Sequence, residues 1–202
     1  NYQLIRKMSN ITIGVIGYGY WGPNIVRNFF NAPDCKVKAV ADGRPERLAV
    51  LAKIFPSIKG VNAAEDIIND KEIDAVVIAT PDHWHAPIAI AAAKAGKHVF
   101  LEKPMTHSIE EAIELRNTIK STGVVFQLGH ENRQQMSFRI ARELIQKGVL
   151  GTVSMIQTFT NRNGPYGAWI RKRKYDDQGN PDNINWKEFL GNTPWHEFDP
   201  KR

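Results

Sequence analysis

Residues 17–22 read Gly-Tyr-Gly-Tyr-Trp-Gly (GYGYWG), with Pro23 directly behind them. Three glycines at this spacing arise easily by chance, so their flanks must decide whether they form a ligand-holding loop or only a turn. An apolar run, Ile11 to Ile16, leads into the stretch, and Gly22-Pro23 opens a helical pattern that runs through Phe30. Proline is tolerated in that first turn because its missing N–H serves no helical bond there. A glycine loop between a buried strand and a helix is where a nucleotide phosphate is held. Gly17 permits the tight turn, Gly19 lets a pyrophosphate approach the backbone, and Gly22 lets helix and strand pack closely. Pro23 lacks a donor, so the N–H groups of Tyr20, Trp21 and Gly22 are left to face the anion.

The rest of the first half repeats the same alternation of apolar run and helical pattern, the signature of βαβ units around a buried parallel sheet. Val37 to Ala41 reads as a strand, Arg47 to Phe55 as a helix, Ala64 to Ile68 as a short helix, and Ala75 to Ala79 as a buried central strand stopped by Thr80-Pro81. Pro87 to Lys94 is an alanine-rich helix ended by Gly96, and Val99 to Leu101 is the next strand. Ser108 and Glu111 form a capping box for a helix to about Lys120, and Val124 to Leu128 closes the series. The fold class expected is α/β, a doubly wound parallel Rossmann sheet over residues 1–128, followed by an incomplete α+β domain over residues 129–202. In the second part an amphipathic helix, Met136 to Gln146 with a cap at Gly148, leads to a strand-like segment from Thr152 to Thr160, and a short helical piece lies near Trp186 to Leu190.

Asp42 lies 20 residues beyond Gly22, just after the second strand. A carboxylate there accepts both hydroxyls of an adenosine ribose, which favours NAD. Arg44 leaves NADP as the alternative, because a guanidinium at that place can bind a 2′-phosphate if Asp42 turns away.

Composition narrows the classes that remain. The 202 residues are 42% hydrophobic, enough for a substantial core, and no apolar run approaches the roughly 18 residues that span a bilayer. No membrane partner and a cytoplasmic location are therefore expected. The single cysteine, Cys35, excludes an internal disulfide and a cysteine-based zinc site, and reads as a small apolar residue at a strand entry. Four of the 27 basic residues, Arg171 to Lys174, form one run with Asp176 and Asp177 close behind. Without aromatic residues interleaved it reads as a solvated loop, and no nucleic-acid partner is expected.

Two further stretches fall at carboxyl ends of buried strands, the rim where open α/β sheets bind ligands. In the first, Thr80-Pro-Asp-His-Trp-His85, His83 and His85 read as a metal pair only in isolation. No other cysteine or histidine stands at ligand spacing, so a hydrogen-bonding rim histidine is expected and no metal. In the second, Glu102-Lys103-Pro104, a lysine partly desolvated beside a nicotinamide can exchange a proton with a substrate hydroxyl. The plainer alternative is a surface lysine paired with Glu102.

GYGYWG, Asp42, ATPDHWHAP (79–87), AGKHVFLEKP (95–104) and ARELIQKGVLGTV (141–153) together resemble the Gfo/Idh/MocA oxidoreductase family, over about 150 residues. The resemblance implies a Rossmann domain followed by a mixed α/β domain with a large open sheet, through which a homo-oligomer is expected. It implies NAD or NADP as cofactor and a hydride passed between nicotinamide and a sugar or sugar-derivative carbon. It also implies catalytic roles for Lys103 and His85, with Thr80, Pro81, Glu102 and an often cis Pro104 beside the cofactor. Arg133 resembles a substrate-side arginine; Tyr166 and Trp169 can stack on a pyranose face, with Asn161 and Arg162 supplying hydrogen bonds, or the two aromatics can be packing residues of a loop.

GYGYWGPNIVRNF is similar to members acting on nucleotide-linked amino sugars, whereas GHENRQ and NRNGPYGAW resemble branches handling glycosides, including NAD-dependent glycosidases. Trp21 is open to two readings, packing or a reach toward substrate. Members continue through an aspartate-histidine motif absent before Arg202, so the resemblance implies a truncated chain or a fragment. A dinucleotide-binding piece without catalysis is the remaining alternative.

Overall fold

The computed structural model describes residues 11–159, 184–191 and 193–198. The chain divides into two compact units, residues 1–130 and 131–202. In the first, six parallel strands stand in the order β3-β2-β1-β4-β5-β6: β1 Ile11–Ile16, β2 Cys35–Ala41, β3 Lys59–Val61, β4 Ala75–Ile78, β5 His98–Glu102 and β6 Phe126–Gly129. Helices α1 Gly22–Phe30, α2 Pro45–Ile54, α3 Ala64–Ile68, α4 His85–Lys94 and α5 Ile109–Thr122 make the crossovers. This is the doubly wound sheet that the alternation of apolar runs predicts.

Burial on both faces explains why the strands are continuously apolar. Val76 and Ile78 of β4 point into one core with Ile16, Ile67, Leu101 and Leu115, while Val77 between them joins Val15, Val26, Val40 and Leu51 on the other face. The side-chain alternation of a strand thus feeds two cores from one run. The alanines of α4 serve the same end: Ala86, Ala89, Ala92 and Ala93 are buried, and their small side chains let the helix lie close to the sheet.

Several boundaries differ from the expected ones. β3 was not among the predicted strands, since Lys59-Gly60-Val61 has neither alternation nor β-branched density; it forms because β2 offers a free edge, pairing Ala39 with Lys59 and Ala41 with Val61. The last strand begins two residues later than expected, at Phe126, after Val124 and Val125. Capping is as predicted: Ser108 Oγ accepts the Glu111 N–H, and the Glu111 carboxylate accepts the Ser108 and His107 N–H groups. Cys35 opens β2, with its thiol pushed up by burial and by the Asp34 carboxylate, so it is a poor nucleophile at neutral pH.

The second unit contains α6 Met136–Gln146 and α7 Trp186–Leu190. The strand expected from Thr152 to Thr160 is not formed: residues 153–159 have no strand partner, and no strand of this unit occurs among the described residues. A β-rich pattern without a paired neighbour leaves its backbone groups to solvent. An oligomer built through a second-unit sheet has no described strand to rest on. Asn161, Arg162, Tyr166 and Trp169, and the basic run 171–174, lie outside the described residues. No helix among the described residues is long and apolar enough to cross a membrane.

At the amino end of the sheet a buried lysine ties the α3–β4 corner to β5. Lys97 Nζ donates to the carbonyls of Asp70 and Ile73 at 2.6 and 2.7 Å. Lys97→Met keeps most of the stem volume but leaves both carbonyls without that donor, and is expected to lower unfolding stability by about 1–3 kcal/mol, measured by urea denaturation.

Candidate functional site

Strand register sets the site. Ile16 is level with Ala41 on one side and Ile78 on the other, and Ile78 is level with Leu101. The residues that follow these four, Gly17, Asp42, Ala79-Thr80 and Glu102-Lys103, therefore leave the sheet along one edge. The strand order reverses between β1 and β4, and the crevice at such a switch point is where doubly wound sheets take ligands.

Gly17 is at φ +100°, and its N–H donates to Ala41 O at 2.8 Å. A Cβ there would stand 2.6 Å from the Ala79 carbonyl oxygen and 2.9 Å from Thr80 N, both backbone atoms that cannot rotate away. Gly22 returns over the same turn, so closely that a Cβ on it would collide with the Gly17 carbonyl oxygen. Between them, the N–H groups of Gly19, Tyr20, Trp21 and Gly22 donate to no backbone carbonyl among the described residues. They form an uncommitted set of donors at the start of α1, where the helix dipole also favours negative charge.

Asp42 has a side chain only 8% exposed. Its Oδ2 accepts the Tyr18 N–H at 2.8 Å, and its Oδ1 accepts the Arg44 N–H at 3.0 Å and Arg44 Nε at 3.2 Å. The carboxylate is thereby fixed to the glycine turn, and the Arg44 guanidinium is drawn over Gly19. The Tyr18 N–H could not have been found from sequence, because it becomes a partner only when the ends of β1 and β2 are level.

At the other end of the edge, Trp21 Nε1 donates to Glu102 Oε1 at 3.0 Å, while the Trp21 ring is 41% exposed and stacks loosely on Tyr20. β4 lies between β1 and β5, so this bond spans the end of β4 above Thr80-Pro81. Lys103 is exposed and makes no hydrogen bond or ion pair among the described residues. The expected alternative, a lysine paired with Glu102, is not what forms. The Lys103 side chain is exposed, contrary to the expectation of a partly desolvated lysine.

Thr80 Oγ1 is buried without a partner. His85 is 2% exposed, with Nδ1 at 2.6 Å from Pro104 O and Nε2 at 3.0 Å from Thr80 O; the Lys103–Pro104 peptide bond is cis. Asp82 and His107, 3.4 Å apart, join the same two turns at the surface, a pair that carries no motif in the sequence. Among the described residues no three histidine, cysteine, aspartate or glutamate side chains are grouped to hold a metal ion. Arg133 is exposed in a 3-10 turn, Glu131–Gln134, of the second unit.

A doubly wound sheet with an uncommitted donor turn after β1 and an anchored carboxylate after β2 defines a dinucleotide-binding protein. The chain belongs to the Gfo/Idh/MocA oxidoreductase family, whose NAD-binding Rossmann-fold model matches residues 11–130. It is 32% identical over 189 residues to 2,7-anhydro-N-acetylneuraminate hydratase of Escherichia coli, covering 93% of this chain and 46% of that one. It is 34% identical over 154 residues to levoglucosan dehydrogenase of Pseudarthrobacter phenanthrenivorans, covering 72% and 40%. Scyllo-inositol dehydrogenase of Lactobacillus casei, solved with NAD(H) and scyllo-inositol, superposes with a TM-score of 0.66 at 32% identity, covering 70% of this chain and 42% of that one. The chain thus spans less than half the length of each of these relatives.

Gly17→Ala tests the turn. The positive φ alone is worth about 1–3 kcal/mol for a residue with a Cβ, and the clash with Ala79 adds to it. A lowered melting temperature together with loss of NADH binding, followed by energy transfer from tryptophan, is the expected result.

Proposed function

We propose that this chain carries the cofactor half of an NAD(P)-dependent dehydrogenase acting on a sugar, a sugar derivative such as a nucleotide sugar, or a cyclitol. The observation that carries the reading is the single edge on which an anchored Asp42, an uncommitted donor turn and an unpaired Lys103 follow one another in the order a dinucleotide needs. The residues fit the cofactor. Tyr20, Trp21 and Gly22 offer N–H groups to a pyrophosphate, Asp42 offers a carboxylate to ribose hydroxyls, and the orphaned Thr80 Oγ1 gains a polar partner. NAD(P), when bound, supplies the hydride acceptor or donor.

Asp42 supports NAD over NADP. Its position is held by the Tyr18 N–H, so a fixed negative charge stands where a 2′-phosphate would have to enter, and Arg44 is already engaged by that charge. NADP remains the alternative if Arg44 leaves Asp42.

Lys103 Nζ accepts the proton of the substrate hydroxyl as the hydride leaves the same carbon, and returns it in the reverse direction. For that it must be a neutral amine near its operating pH, which requires shielding from water by cofactor and substrate. We read residues 129–202 as the beginning of the substrate domain, with Arg133, Asn161 and Arg162 as hydrogen-bonding groups and Tyr166 and Trp169 as stacking surfaces for a pyranose. The levoglucosan and scyllo-inositol dehydrogenases support a polyhydroxylated ring as the substrate class.

The hydratase among the relatives supports a second reading. In this reading oxidation would be transient: a ring C–OH would be oxidised to a ketone, the adjacent proton and a C–O leaving group would be lost by elimination, water would add to the double bond so formed, and the hydride would return, so no reduced cofactor would accumulate. Product analysis separates the readings, since a dehydrogenase builds up NADH and an eliminating enzyme releases its leaving group without it. NADH binding with neither product would mark a chain that holds the cofactor and leaves chemistry to residues elsewhere.

Asp42→Ala removes a charged hydrogen-bond acceptor and is expected to weaken NADH binding by roughly 10- to 100-fold; an unchanged isothermal titration would refute the ribose assignment. Lys103→Ala is expected to lower kcat by about 10²–10⁴ while leaving NADH affinity within a few-fold. Full turnover in that variant would rule out the lysine as proton carrier.

A further inference from the structure

His85 opens α4, yet its ring is buried between two turns of the rim. One nitrogen faces the carbonyl of Thr80, after β4, and the other faces the carbonyl of Pro104, the residue following Lys103. Pro81, which follows Thr80, and Pro104 itself carry no backbone N–H, so the turns lack amide donors there that a neighbouring segment might use to hold them. The tie between the two turns is made through carbonyl oxygens, by one imidazole.

The chemistry of that tie is constrained. A carbonyl oxygen only accepts, and a neutral imidazole carries one N–H and one lone pair. With a neutral ring, one of the two contacts is a lone pair facing an oxygen, and the turn on that side is not held. Both contacts are hydrogen bonds only when both ring nitrogens carry a proton.

The surroundings show which other charges bear on it. The turn before α4 holds Asp82 and His83, and the turn after β5 holds Glu102, Lys103 and His107. Asp82 is in contact with both His83 and His107, and Glu102 is engaged by Trp21. No acidic residue occupies the first turn of α4. On α5, which packs along α4, Glu111 is taken by the His107 and Ser108 N–H groups, and Glu114 meets Lys94 at the opposite end of α4.

We propose that His85 is a positioning residue for Lys103: doubly protonated, it ties the Thr80 turn to the Lys103–Pro104 turn, and loss of one ring proton releases one of them. The tie is complete at low pH and loosens as the pH rises. The proposal rests on the reading of Lys103 as the proton carrier beside the nicotinamide.

The test is nitrogen-15 NMR of the histidine rings and of the Lys103 amide in the whole chain, from pH 5 to 9, with NADH titrations at the same pH values. The expected result is a His85 ring with two N–H groups at low pH that loses one in a single step. The Lys103 amide signal should move with the same midpoint, and NADH affinity should fall about 2- to 10-fold across it. His85→Gln, whose amide can still donate to one carbonyl, should bind NADH at the high-pH wild-type level throughout, with no step; His83→Gln should keep the step.

A ring carrying one proton across the whole range, a Lys103 amide that ignores the His85 step, or an affinity step surviving in His85→Gln would overturn the proposal. If His85→Gln does not fold, the wild-type NMR titration alone decides. Wild-type protein that fails to bind NADH at any pH would overturn the cofactor reading instead, and the coupling of the His85 ring to the Lys103 amide would still be read from the same spectra.

Discussion

Three parallel strands end together at Gly17, and the backbone just past β4, at Ala79-Thr80, passes so near that no side chain fits there. Everything on the binding edge depends on this contact. The Gly17 N–H is taken by β2 and the site of its missing Cβ is filled by the Ala79 carbonyl, so the turn is held on both sides. The chain then returns over its own Gly17 carbonyl at Gly22 and starts α1 with its first N–H groups facing outward. A bulkier residue at either glycine would push the helix off the sheet and close the approach to those donors.

From that fixed point the edge is organised by side chains that hold backbone. Asp42 binds the Tyr18 N–H, Trp21 binds Glu102, and His85 meets the Thr80 and Pro104 carbonyls. Each contact joins the ends of two strands, and successive contacts cross from β2 to β1, from β1 to β5, and from β4 to β5. Lys103 stands at the end of this series without a bond of its own. The residue after it, Pro104, is held through its carbonyl by His85, while the Lys103 side chain stays uncommitted.

Much of the first unit was legible because it depends on local rules. Continuous apolar runs meant strands buried on both faces, and the Ser108–Glu111 box marked the start of α5. β3 was not legible, since Lys59-Gly60-Val61 is a strand only by virtue of the edge that β2 offers. Residues 152–160 are the opposite case: their β-rich pattern predicts a strand, and no partner strand stands beside residues 153–159. Both cases have one cause: pairing belongs to two segments, and a single segment's composition cannot report it.

The sequence by itself determined the Rossmann class, the glycine turn, the carboxylate after β2 and the lysine after β5, because each is set by residue type at a short distance along the chain. The tertiary structure decided what those residues are bonded to. Trp21 and Glu102 are 81 positions apart, and Tyr18 and Asp42 are 24 apart. Sheet order and register bring them together, and no periodicity in the chain encodes either contact. Lys103 was expected with Glu102 as its alternative partner, yet Glu102 turned to an indole from the opening glycine stretch, for the physical reason that β4 alone separates their strands.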